Sequence, residues 1–132
     1  MFGDATFARA DAVDARLLPD ADGRLFTDWA AERVRGGRYF GKDQWGLGVA
    51  AGARLVVTSA AVAVWLAKGF AAAEGRLSLA RKDAREGVML AERTFGHLGG
   101  MPLARFGGAL RTLEAERGAE RAVLAVVLPS GK

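Results

Sequence analysis

A mostly helical α+β small domain, with a short sheet that includes a C-terminal strand, is the fold class the chain predicts. Three observations carry this expectation. Apolar residues recur at helical spacing over most of the chain, alanine supplies 27 of the 67 hydrophobic residues, and one valine-rich run near the C-terminus suits a strand. Alanine favours helix and lets helices approach closely, but it contributes little apolar area per residue. At 132 residues, residues 1–132 are expected to form a single compact domain that buries roughly two-thirds of the surface exposed by the unfolded chain. A glycine-rich segment near 36–52 is expected to be its flexible part.

The first helix is expected from Asp4, a good N-cap, to about Arg16, with Phe7, Ala10, Val13 and Leu17 at helical spacing. Residues 18–24, LPDADGR, read as a turn, because Pro19 restricts the backbone and Gly23 accepts a positive φ. A second, shorter helix is expected after Thr27 or Asp28, placing Trp29 and Arg33 on one side and ending near Gly36 and Gly37. Residues 54–58 are read as a strand and a helix is expected to start after Thr58 or Ser59. Both faces of this run are apolar, so a buried helix fits its periodicity equally well.

The clearest helix spans about residues 79–98. Ala80, Ala84, Val88, Ala91, Phe95 and Leu98 form its apolar stripe, Ser78 is its expected cap, and Gly99 and Gly100 its stop. Gly87 lies inside this helix at a cost of roughly 0.5–1 kcal/mol relative to alanine. Its presence predicts that another backbone comes close at that point. Pro102 then opens a helix with Leu103, Phe106, Leu110 and Leu113 on one side, and residues 121–129, RAVLAVVLP, read as the last strand. A strand cannot stand alone, so this one needs a partner in the domain or in another chain.

The absence of cysteine excludes disulfides and thiolate chemistry, and His97 as the sole histidine excludes a zinc site built on several imidazoles. No metal and no cofactor are expected. Gly46, Gly48 and Gly52 are spaced G-x-G-x-x-x-G, one residue longer than a dinucleotide fingerprint, and Gly41-Lys42 is followed by Asp43 where a phosphate loop carries Ser or Thr. His97 falls near a helix C-terminus, where capping explains it without catalysis. No catalytic residue is assigned, and an unidentified small-ligand enzyme ranks behind two binding readings. A cleaved secretion signal is not expected. Residues 55–73 reach bilayer-spanning length only by including Lys68 and Gly69, so a buried helix is preferred to a membrane span.

Charge is unevenly distributed within the net +4. Residues 1–32 carry seven acids and three bases, whereas 33–54 carry five bases and one acid. Residues 33–48, RVRGGRYFGKDQWGLG, concentrate five glycines, three aromatic rings and four basic side chains. Arg, Tyr and Trp are the residue types that dominate protein interfaces. Arg35, Arg38, Tyr39, Phe40, Lys42 and Trp45 are therefore the expected partner-binding residues of a non-catalytic, self-associating assembly or structural module, cytoplasmic or particle-associated. The alternative is nucleic-acid binding, with Arg33, Arg35, Arg38 and Lys42 on phosphates, Tyr39, Phe40 or Trp45 stacked on a base, and Arg81, Lys82, Arg85 and Arg93 extending the basic surface.

Overall fold

The computed structural model describes residues 4–17, 24–39 and 48–96. These residues are mostly helical. In chain order they form α1 (Asp4–Ala12), β1 (Asp14–Leu17), α2 (Arg24–Arg35), α3 (Val49–Ala73), β2 (Ser78–Leu79) and α4 (Arg81–Ala91). A π-helical turn (Glu92–Gly96) continues α4. The long α3 is the centre: α4 packs along it, and α1 and α2 lie against it. Extended structure amounts to one irregular parallel pairing, in which Asp14 is opposite Ser78 and Leu17 opposite Leu79.

The largest departure from the sequence reading is at residues 54–58. They lie within α3, whose first residue is Val49, so neither the strand nor a helix start after Thr58 is found. Valine and threonine suit a strand when a neighbouring strand accepts the ladder, and none lies beside this run among the described residues. The continuous helix instead satisfies its own backbone, beginning with the Gly52 N–H on the Gly48 carbonyl at 2.9 Å. Ser59 returns its hydroxyl to the Leu55 carbonyl at 2.6 Å, a bond that lets a polar side chain sit buried inside the run.

Smaller boundary shifts have local causes. α1 ends at Ala12 instead of near Arg16, because the Asp14 N–H bonds to the Leu77 carbonyl at 2.9 Å and draws the chain into β1. α2 starts at Arg24, and Thr27 donates its hydroxyl to the Arg24 carbonyl instead of capping a later start. It stops where expected, with Gly37 at φ +64°. α4 begins after Ala80 and not after Ser78, which belongs to β2. The regular α-helix ends at Ala91, before the π-helical turn. The expected turn at 18–23, the stop at Gly99 and Gly100, the helix after Pro102 and the strand at 121–129 lie outside the described residues.

Two devices join α3 to α4. At the end of α3, Gly75 takes φ +72°, its N–H bonds to the Ala72 carbonyl, and the Arg76 N–H reaches back to Ala71. This is a Schellman ending, which turns the chain sharply enough for α4 to return along α3. Arg76 then grips Asp83 with two bonds, Nη1 to Oδ2 at 2.5 Å and Nη2 to Oδ1 at 2.6 Å. Oδ2 also accepts the Ala80 N–H at 2.7 Å, so one carboxylate caps α4 and fastens the turn. Burial acts to raise the Asp83 carboxyl, whose side chain is only 2% exposed, but the Arg76 and Ala80 hydrogen bonds outweigh it and hold the acid below its ordinary value.

The expected close approach at Gly87 is present. A Cβ there would lie 2.4 Å from the Ala63 carbonyl oxygen and 2.9 Å from the Ala67 nitrogen. Hydrogen on glycine is what permits this helix contact, and Ala63, Ala67 and Ala84 surround it with small side chains buried in the core.

Candidate functional site

The second half of α2 and the C-terminal end of α4 enclose an open cleft of about 530 Å³. Amphipathic spacing on α2 directs Trp29 and Arg33, four residues apart, toward α4. The π-helical turn begins at Glu92, which meets both of them. Glu92 Oε2 accepts the Trp29 indole N–H at 2.8 Å and an Arg33 guanidinium N–H at 2.5 Å. The Arg33 guanidinium also lies 5.5 Å from the Trp29 ring centre, within range of a cation–π contact. Arg33 is 7% exposed, so its charge depends on this carboxylate for compensation.

Around that triad the cleft has two kinds of surface. Half-buried Trp29 and Val88 and exposed Met89 present apolar atoms. Arg38 and Arg93, both exposed, present positive charge and have no ion pair among the described residues. Arg38 follows the positive-φ Gly37, and its side chain folds beside Gly36. Glu32 also borders the cleft, but Arg35 pairs with it at 2.5 Å on the exposed surface. Such a site can hold a ligand by apolar contact and charge; the described lining has no hydroxyl, thiol or imidazole side chain, and its two carboxylates, Glu32 and Glu92, are paired with Arg35 and Arg33.

The residues singled out from sequence are placed as follows. Arg35 is exposed at the end of α2, Arg38 is exposed just after it and Tyr39 is half-buried; of these three described residues of the expected partner-binding set, Arg38 lines the cleft. Phe40, Lys42 and Trp45 lie outside the described residues, as does His97. Arg33 is buried against Glu92, whereas Arg81 and Arg85 are exposed on α4. Sequence reasoning missed Met89 as a site residue and the pairing of Glu92 with Arg33, while it counted Arg93 only toward a nucleic-acid surface. The signal for Glu92 was weak: it lies 59 residues from Arg33, and only the packing of α2 against α4 brings the two together. Gly75 was also passed over, although a glycine after an apolar helical run is a recognisable stop signal.

Among the described residues, no three Asp, Glu or His side chains gather in a metal-binding group. Comparison with known proteins finds no matching family model, no matching curated protein and no matching solved structure.

Proposed function

We propose that this chain is a non-catalytic interaction module that assembles with further copies of itself, in the cytoplasm or on a larger particle. The observation that supports this reading is the N-terminal half of α3. The helix is apolar apart from Arg54, Thr58, Ser59 and Lys68, yet only 39% of its most apolar eighteen-residue stretch is buried. Val49 and Val57 are each 56% exposed. Exposed valines beside alanines offer a smooth surface on which a second helix can pack closely, and burial of that surface by another copy removes it from water. The same reading adds residues 121–129 to the short parallel pair as a further strand, within the chain or between copies.

Nucleic-acid binding is the second reading, resting on the exposed Arg35, Arg38, Arg81 and Arg85. It is less favoured because Arg33 is tied to Glu92 and two carboxylates, Glu32 and Glu92, border the basic cleft.

Sedimentation equilibrium across a wide concentration range tests the assembly reading. Self-association by the unaltered chain, reduced in Val57→Glu while helical content is retained, is the expected result. A chain that stays monomeric throughout overturns it, and binding to neutral lipid vesicles by that monomer assigns the exposed face of α3 to a membrane instead.

A further inference from the structure

We propose that the cleft between α2 and α4 docks an acidic peptide segment bearing one large apolar side chain. This site is separate from the α3 face and does not depend on self-association.

The charges in the cleft select the ligand. Arg33 and Glu92 neutralise each other, and Glu32 is matched by Arg35. Arg38 and Arg93 have no ion-pair partner among the described residues, so the described cleft carries an excess of positive charge in two guanidinium groups suited to carboxylates. A polyphosphate is a poorer match, because the Glu92 carboxylate faces the same space and is 35% exposed. That carboxylate uses Oε2 for both Trp29 and Arg33 and has no hydrogen bond on Oε1. A peptide offers what Oε1 lacks, a backbone N–H donor, together with side-chain carboxylates for Arg38 and Arg93.

The apolar part of the cleft supplies the other half of the recognition. Trp29, Val88 and Met89 line the cleft together with the charged groups. Met89 is a large apolar side chain left 45% exposed near the C-terminal end of α4. Methionine adapts its shape to different side chains, and Trp29 is held rigid by its bond to Glu92, so one surface yields while the other orients. The cleft is open to solvent, and its volume of about 530 Å³ accommodates one large side chain with its flanking backbone.

Fluorescence anisotropy of labelled peptides tests the assignment on the full chain. The probe is an acidic peptide with a central leucine, Ser-Glu-Asp-Leu-Glu-Asp-Ser. The controls replace its leucine by serine, or its acids by lysine. A thymidine oligonucleotide of the same charge is titrated in parallel. The leucine peptide is expected to bind, with affinity falling about tenfold on loss of the leucine and at least tenfold in the doubly reversed variant Arg38→Glu, Arg93→Glu. Arg9→Glu, exposed on α1 and outside the cleft, should bind as the unaltered chain does. Circular dichroism of each variant verifies that the helices persist. Failure of the leucine peptide to bind, equal binding of the serine peptide, equal weakening by Arg9→Glu, or tighter binding of the oligonucleotide would each overturn the proposal.

Discussion

The two halves of α3 have similar chemistry and different surroundings. Residues 63–73 are the more enclosed: Ala63, Val64, Ala67, Gly69, Ala71 and Ala72 are buried, even Lys68 has its stem covered, and only Ala73 at the helix end is exposed. Residues 49–62 bury Gly52, Leu55, Val56, Ser59 and Ala61, but leave Val49, Ala50, Arg54 and Val57 exposed. Alanine and valine dominate both halves, so hydropathy does not choose between them. The difference comes from α4, which returns along the second half because of the Gly75 turn and sits close because Gly87 has no side chain. Apolar character makes burial favourable, and the partner's geometry decides where it happens.

If that account is right, damage should concentrate at the α4 junction and fade toward the start of α3. The largest effect is expected for Asp83→Ala, which leaves Arg76 with only the exposed Glu74 as an ion-pair partner and the Ala80 N–H without its acceptor. A loss of about 3 kcal/mol in urea unfolding is expected, and a loss below that of an ordinary surface substitution would mean the junction does not hold the two helices together.

Gly87→Ala comes next. Helix propensity alone favours alanine by about 1 kcal/mol, whereas the added methyl group meets the α3 backbone and overpacking costs about 1–3 kcal/mol. Net destabilisation of about 1–2 kcal/mol is therefore expected; a stabilised variant would contradict the close contact at Ala63 and Ala67. Glu92→Gln, which removes the charge compensating Arg33, is expected to cost about 1 kcal/mol because Glu92 is partly solvated. The fluorescence of Trp29 should change with it. Val57→Ser, at the exposed end of the comparison, should alter monomer stability by no more than about 0.5 kcal/mol.

Acid sharpens the same contrast. The Asp83 carboxyl has a lowered value in the folded chain, so its contribution is full above the ordinary carboxylate range near 4 and declines as pH falls through the lowered folded value. The difference in melting temperature between the unaltered chain and Asp83→Asn should accordingly shrink as pH is taken below that range. A difference that stays constant in acid would show that the Asp83 charge has no part in fastening the turn.

Legibility varied with the range of the interaction that formed each element. The stop of α2 at Gly36 and Gly37 and the need for a close neighbour at Gly87 were both readable, since glycine's missing side chain leaves few alternative explanations. The run at 54–58 was not, because β-branched residues with two apolar faces fit either a buried strand or a buried helix. Ser78 looked like a cap by residue type, yet β2 takes it and Asp83 reaches back to Ala80 instead. In the candidate site, Arg38 was legible as an exposed cation beside glycines, while Arg33 was grouped with it although its guanidinium turns inward to Glu92. Charge on a side chain is visible in the string, but its partner across another helix is not.

By itself the chain determined a helical, alanine-rich build without thiol chemistry, and the glycine at which one helix ends and another can be approached. Those are local properties, set by backbone freedom, side-chain volume and residue inventory. Tertiary structure alone decided that α3 runs unbroken through its valines, that its second half is the more enclosed, and that Trp29, Arg33 and Glu92 converge. Each of those outcomes depends on which surfaces meet after the chain turns back on itself, and contact energies between distant segments have no expression in local sequence.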